Sequence, residues 1–307
     1  MSLKIDKLSA SYGQARALWD VSLDAAHGTV VGVLGRNGAG KTTLIRTAMG
    51  MLYPHGGQVR VFGLSPTEDP VAVKQRIGYV AEDQVLPARL TIAELIDFHR
   101  QIFSQWNEAL ERQLLERFAL ATGSKIKNLS KGQARQVALL CAVCHRPDLL
   151  ILDEPAGGLD PVARREFLET SIQLLNREGT AILFSSHHMT DVERIGGRVV
   201  LLDKGKVRLN HDLDTLREDV CMAMVPRAAV SDVGMLEHMP KCLGVRMVKD
   251  EWHAVFQGGV GEVRRELQSA LGLPEIPCLS LPLEDLFIEM VGGDRMVESG
   301  FVREVNA

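Results

Sequence analysis

The sequence predicts an α/β protein with an inserted helical subdomain and a small second α/β domain towards its C-terminal end. Three observations carry that expectation. A glycine-rich stretch, Gly35-Arg36-Asn37-Gly38-Ala39-Gly40-Lys41-Thr42-Thr43, matches the phosphate-binding pattern G-x-x-x-x-G-K-[ST]. An apolar, partly β-branched run at 29–34 precedes it and a segment able to form a helix, 44–51, follows it. Further short runs at 77–80, 149–154 and 181–186 read as buried strands, the second ending in the two carboxylates Asp153 and Glu154.

The strand–loop–helix order is what phosphate binding needs. Glycines let the backbone wrap an anion without a Cβ in the way. The N–H groups of Asn37, Gly38, Ala39, Gly40, Lys41, Thr42 and Thr43 then converge on phosphate, helped by the positive end of the following helix. Lys41 supplies a point charge for the β- and γ-phosphates, and the Thr42 hydroxyl a ligand for Mg²⁺. A chance glycine-rich turn would not come with this flanking order. The loop by itself specifies a nucleoside triphosphate rather than a particular enzyme.

Composition narrows the classes. The chain has 307 residues, 46% hydrophobic and 24% charged, which suits a globular protein of one large domain or about two ordinary ones. A net charge of −4 argues against a dedicated nucleic-acid binder, which needs a basic stripe. No apolar run approaches the ~18 residues of a membrane helix. Residues 1–6 lack the apolar core of a signal peptide, and five cysteines without framework spacing suit a reducing cytosol.

In chain order, 3–11 and 18–24 read as strands, with Tyr12-Gly13 ending the first. Tyr12 reads equally as a stacking platform for adenine or as an ordinary strand-end tyrosine. Pro54-His55-Gly56-Gly57 is a turn, 59–63 a short strand and 70–76 a helix. Ala81-Glu82-Asp83-Gln84 is a polar loop directly after a core strand. From Thr91 to about Leu120 the apolar spacing is helical, opened by a Thr91/Glu94 capping box. Asn128 to Gln133 leads into a helix running to about His145, and 162–178 forms another. A hairpin at 199–209 turns on Asp203-Lys204-Gly205. Beyond about 219 short strands (220–224, 245–249, 252–256) mix with helices (231–238, 262–271, 283–291). The domain reading is thus 1–218, with the helical subdomain at about 85–145, then 219–293, then a loose tail, 294–307.

Asp153 closes four apolar residues, in the Walker B pattern of an acid at the end of a core strand, placed to hold Mg²⁺. Glu154 follows, and because successive strand residues point to opposite sides it can face the attacking water as general base. Two adjacent acids are often only a solvated loop; the four buried positions before them argue against that here.

With these residues assembled, the chain over 1 to about 217 resembles the ATPase subunit of an ATP-binding cassette (ABC) transporter. The ordered set carries the resemblance: the P-loop at 35–43, a signature-like Leu129-Ser130-Lys131-Gly132-Gln133, Asp153 lying 23 residues after Ser130, a D-loop Gly158-Leu159-Asp160, and a strand-terminal Ser185-Ser186-His187. The resemblance implies an ABC cassette on the P-loop core, with ATP and Mg²⁺ as cofactors. It assigns Tyr12 to adenine stacking. It places Ser130, Gly132 and Gln133 on the ATP held by a second subunit, and Asp160 at the dimer seam. Thr42, Asp153 and Glu82 would face Mg²⁺; Glu154, His187 and Lys41 would be catalytic, with His187 sensing the γ-phosphate. Two positions depart from the family pattern. Lys131 stands where the signature usually has Gly, and Glu82 stands at the usual glutamine of the Q-loop, with Gln84 two residues late.

The resemblance implies a second copy, or a homologous ATPase, in an ATP-sandwich dimer, and a separate transmembrane permease holding the chain at the cytoplasmic face of the cell membrane. Glu82 and the closing segment Leu283-Glu284-Asp285-Leu286-Phe287 point to an exporter. The alternative is a soluble ABC ATPase acting on ribosomes or DNA, disfavoured by the single P-loop and the lack of a long heptad run. Cys141-Ala142-Val143-Cys144-His145 spells a haem-attachment motif, but its place on the helix after the signature makes the cysteines packing residues.

Overall fold

The computed structural model describes residues 1–291 apart from 14, 160, 176–178, 219 and 231. Asp160 and the tail at 294–307 therefore lie outside the described residues. The chain divides into two compact units, Met1–Asn210 and His211–Ala307, a few residues ahead of the 218/219 boundary read from the sequence.

In the first unit, β1 (Leu3–Tyr12) and β2 (Ala15–Ala25) form a hairpin ahead of β3 (Val30–Leu34), the P-loop and α1 (Lys41–Ala48). β4 (Gly56–Val61), α2 (Pro70–Lys74) and β5 (Ile77–Val80) follow. The helices α3 (Ile92–Ile102), α4 (Glu108–Arg117) and α5 (Lys131–Val143) make up the inserted segment. The unit closes with β6 (Leu149–Leu152), α6 (Pro161–Leu175), β7 (Ala181–Ser186), α7 (Met189–Ile195), β8 (Arg198–Asp203) and β9 (Lys206–Asp212). Six strands form one sheet in the order β5-β6-β7-β3-β8-β9, and β2-β1-β4 form a second, antiparallel one.

The large sheet explains why its strands read as unbroken apolar runs. β3, β6 and β7 are buried at every position, and helices cover both faces of such a sheet. Each fully buried Leu, Ile or Phe contributes roughly 1.5–3 kcal/mol relative to exposure. The pairs β5/β6, β6/β7, β7/β3 and β3/β8 are all parallel, with Val80 beside Leu152, Leu152 beside Phe184 and Leu34 beside Ser186. Parallel register sends the loops after β3, β5, β6 and β7 out of the same edge. Glycine permits one close approach: a Cβ on Gly78 of β5 would run into the Ala142 carbonyl of α5, so the helix lies directly on the strand.

The helical spacing over 91–120 resolves into two helices, α3 and α4. α3 starts with the expected capping box, in which the Thr91 hydroxyl accepts from the Glu94 N–H (3.2 Å) and Glu94 accepts from the Thr91 N–H (2.7 Å). It stops at Phe103, whose backbone turns extended and whose ring stacks on His145 at 3.8 Å. Asn107 then caps α4 by accepting from the Leu110 N–H (3.1 Å). Buried Glu111 joins the two helices, accepting from Arg100 Nη2 (2.7 Å) and Trp106 Nε1 (2.6 Å). The break rests on tertiary contacts that helical periodicity does not record. Cys141 and Cys144 face the core; burial pushes the Cys141 thiol up to about 12 and the Cys144 thiol higher still.

The second unit holds α8 (Leu213–Glu218), β10 (Val220–Pro226), α9 (Gly234–Glu237), β11 (Cys242–Val248), β12 (Glu251–Gln257), α10 (Val260–Leu271), β13 (Cys278–Ser280) and α11 (Leu283–Val291). Its sheet is antiparallel, in the order β11-β12-β10-β13. β13 was not legible beside Pro274 and Pro277. The expected helix at 231–238 shrinks to α9, because the Asp232 carboxylate accepts from the Gly234 N–H (2.9 Å) and competes with an earlier start.

α11 is fastened to the sheet by one carboxylate. Glu289 accepts from Arg246 Nε (2.5 Å) and Nη2 (2.7 Å) and faces His253 Nδ1 at 3.3 Å, Arg246 and His253 being cross-strand neighbours. Burial pushes the Glu289 carboxyl up, but the bonds from His253 and Arg246 outweigh it and bring it to about 2. A depressed carboxyl contributes stability that is complete above the unfolded value near 4.5 and lost as pH falls through about 2. We expect Glu289→Gln to lower the stability of this unit at pH 7 by on the order of 3 kcal/mol, and to remove that part of its acid sensitivity between pH 4.5 and 2. Denaturant melts of both proteins across that window measure it; parallel stability–pH curves would show that the triad contributes nothing.

Candidate active site

The P-loop leaves β3 at the edge where the other core strands end. Gly35 donates to the Ser186 carbonyl (3.2 Å), and a Cβ on Gly35 would collide with the Leu202 carbonyl. Gly40 caps α1 at φ 109°, a conformation open to glycine, and a Cβ there would lie 2.8 Å from Leu18 Cδ2 and 2.9 Å from the Ala17 carbonyl. Asn37 and Gly38 are exposed, while Ala39 and Thr43 are buried beneath the loop.

Lys41 is 5% exposed and turns back onto its own loop, donating from Nζ to the carbonyls of Gly35 (2.6 Å) and Arg36 (3.2 Å). The same ammonium lies 3.0 Å from Glu154 Oε1. That contact is an ion pair by distance, but it lacks hydrogen-bond alignment, and Oε1 has no hydrogen-bond partner among the described residues. Glu154 Oε2 accepts from His187 Nδ1 (2.8 Å), which puts the ring proton on Nδ1. One carboxylate thus bridges the P-loop lysine and the histidine that ends β7.

Asp153 is 1% exposed and accepts from Ser185 Oγ (2.7 Å) and Thr42 Oγ1 (3.4 Å). Burial raises its carboxyl, and the two hydroxyl bonds work against that rise. The hydroxyl of Thr42 and the carboxylates of Asp153 and Glu82 are hard oxygen donors of the kind Mg²⁺ takes, usually with substrate phosphates and water completing its shell. Among the described residues no group of three or more His, Cys, Asp or Glu is arranged to hold a metal ion by itself. Burial raises the Glu82 carboxyl as well, with the charges of Asp153 and Glu154 adding to the effect. Gln84, two residues on, accepts from the Ala81 N–H (3.0 Å) and so shapes the loop.

The remaining residues of the expected site take two positions. Tyr12 is 45% exposed, and its hydroxyl accepts from Arg46 Nη1 on α1 (3.4 Å). Ser130 caps α5: its hydroxyl accepts from the Gln133 N–H (3.2 Å) and its N–H donates to Gln133 Oε1 (3.0 Å). The signature is therefore a capping box. The spacing Ser130-x-x-Gln133 was open to that reading from the sequence, as Thr91-x-x-Glu94 was.

Asp191 belongs to no motif, and Ser185 entered only as part of the strand-terminal Ser185-Ser186-His187, with no role of its own. Ser185 Oγ donates to Asp153 and accepts from the Glu154 N–H (2.9 Å), so one buried hydroxyl aligns both acids. Asp191 on α7 accepts from Ser186 Oγ (2.7 Å) and from both Arg164 Nε (2.7 Å) and Arg164 Nη2, while Ser186 Oγ accepts from the His188 N–H (3.0 Å). That network holds the turn carrying His187. A buried serine in an apolar strand looks like ordinary core until its neighbours are known.

A family model described as ABC transporter matches residues 18–157. The daunorubicin resistance ATP-binding protein DrrA3 of Streptomyces coeruleorubidus is 30% identical, over 97% of this chain and 98% of its own. The ABC transporter ATP-binding protein YtrB of Bacillus subtilis is 31% identical, over 71% of this chain and 74% of its own. A solved ATP-binding subunit of an ABC transporter superposes with a TM-score of 0.65 at 31% identity, covering 71% of this chain and 92% of that one. A dimeric bacterial ABC transporter cassette, 22% identical with a TM-score of 0.61, shares the fold.

We expect Lys41→Ala to weaken Mg-ATP binding by roughly 10- to 100-fold, the loss of one charged hydrogen-bonding group. Calorimetric titration of the folded variant reads this directly. An unchanged affinity would remove Lys41 from the phosphate site.

Proposed function

The chain belongs to the ABC transporter ATP-binding family and is an ATPase, and on that premise we propose that two copies close around two ATP molecules to drive a separate membrane permease, of exporter type. The observation that carries this reading is the convergence of Lys41, Thr42, Asp153, Glu154 and His187 at one sheet edge, while Ser130 stands exposed at the start of α5.

In this reading Lys41 exchanges Glu154 for the β- and γ-phosphates, and the N–H groups from Asn37 to Thr43 enclose them. Tyr12 stacks on adenine. Thr42 and Asp153, with Glu82 nearby, would hold Mg²⁺, which would supply positive charge against the developing phosphate charge. Glu154, released from Lys41, takes a proton from the attacking water, and His187 holds it in line. Ser130, Gly132 and Gln133 of the second copy complete the site, with Asp160 at the seam.

Two further observations favour the permease. Among the described helices none is long and apolar enough to cross a membrane. Large apolar side chains stand exposed on and near the helical insertion: Val85 (88%), Phe98 (54%), Ile102 (45%) and, on α2, Val71 (73%). Gln75 donates to the Ile102 carbonyl (3.1 Å), which brings the end of α3 beside α2. Exposed apolar groups of this size suit a protein partner at the membrane surface. Export is favoured by the near full-length likeness to a protein named for drug resistance, the second unit included.

Glu154→Gln should keep ATP binding and lose ~10²–10⁴-fold in turnover, because glutamine cannot accept the proton. With Mg-ATP the variant should accumulate as a dimer, read by light scattering alone and with the co-purified permease. Wild-type turnover would place the base elsewhere. ATP binding with no dimer, even beside a permease, would sink the composite site.

A further inference from the structure

Arg135 belongs to none of the motifs, yet it touches three of the segments that carry them. It lies one turn into α5, the helix that Ser130 caps. Its guanidinium donates from Nη1 to the carbonyls of Glu154 (3.0 Å) and Pro155 (2.9 Å), and from Nη2 to the carbonyl of Glu82 (2.7 Å). These carbonyls come from the loops after β5 and β6, so one side chain ties the Q-loop and the catalytic turn to the signature helix. A planar, permanently charged fork with five donors suits that task better than an ammonium, which keeps the charge and only part of the reach.

The turn needs holding. Glu154 has φ 45°, in the left-handed region that L side chains rarely adopt. Such a conformation persists where the surroundings over-determine it, and it is found at functional sites. Around Glu154 three bonds do so. Its N–H donates to Ser185 Oγ (2.9 Å), and its carbonyl accepts from the Gly157 N–H (3.0 Å) and from Arg135. A Cβ on Gly157 would come to 3.2 Å from that carbonyl, a tight approach that glycine avoids.

We propose that Arg135 is a positioning residue for hydrolysis, which fixes the strained turn carrying Glu154 and the loop carrying Glu82 to the helix that presents Ser130 and Gly132. The orientation of the catalytic carboxylate is then set by the helix that faces the second nucleotide. This rests on the reading of Glu154 as the base. It extends that reading by making the turn's geometry, and not only its carboxylate, a determinant of rate.

The test uses the full chain and its basal Mg-ATP hydrolysis, with Arg135→Met, Arg135→Lys and Glu154→Gln measured in parallel for kcat, KM and melting temperature. A small displacement of a reacting group costs up to about 100-fold, so Arg135→Met should lose roughly 10- to 100-fold in kcat with KM unchanged. Arg135→Lys, which cannot bridge three carbonyls, should recover part of that loss. Wild-type kcat in Arg135→Met beside an inactive Glu154→Gln would overturn this inference and leave the base assignment standing. Wild-type turnover in Glu154→Gln would overturn both. A rise in KM with a fall in melting temperature, or no recovery with lysine, would reduce Arg135 to a structural residue. Should Arg135→Met fail to fold, Arg135→Lys decides: reduced kcat at unchanged KM supports the inference, and wild-type kcat overturns it.

Discussion

Parallel pairing of β3, β6 and β7 is the constraint on which the site depends. Leu34 lies beside Ser186, and Leu152 beside Phe184, so the residues after these strands leave the sheet together. A one-residue slip would turn each apolar strand over and carry Asp153 away from Thr42. The strands are buried throughout, so burial holds them in the core, while the observed parallel pairing decides where each one ends. Hydrophobic burial thus sets the positions of Lys41, Asp153, Glu154 and His187 before any of them touches another.

Once gathered, these groups pose an electrostatic problem. Lys41, Asp153 and Glu154 are each at most 6% exposed, and an unpaired buried charge costs several kcal/mol. The structure pairs them internally. Lys41 meets two loop carbonyls and Glu154, Asp153 takes two hydroxyls, and Glu154 takes His187. These buried charges are thus held by partners from the fold itself, and under the proposed function phosphate would have to match the partners that Lys41 gives up.

Arginines transmit this arrangement outward. Arg135 reaches back from α5 to the turn of Glu154 and the loop of Glu82, and Arg164 on α6 grips Asp191, which steadies Ser186 and the turn of His187. In both cases a guanidinium on a helix holds a loop that leaves the sheet. Helices are rigid and loops are not, so the precision of the site comes from its helices through a few charge-assisted bonds.

The sequence by itself determined the order of chemistry along the chain. The P-loop glycines, the four apolar residues before Asp153 and the strand ending at His187 are local patterns, because backbone conformation and burial of a continuous strand depend on neighbouring residues. The core strands 77–80 and 181–186 appear at the expected positions for that reason, while the expected 149–154 ends at Leu152, two residues short. Tertiary structure decided what depends on residues far apart. It broke 91–120 at Phe103, where His145 offers a stacking partner from α5. It made Ser185 the common partner of Asp153 and of the Glu154 N–H, and it brought the Arg135 fork to three carbonyls, up to 53 positions away. A serine in an apolar strand and an arginine on a helix carry no periodic signal for such roles. The side chain's partner is supplied by the fold, so its function becomes legible only when distant segments meet.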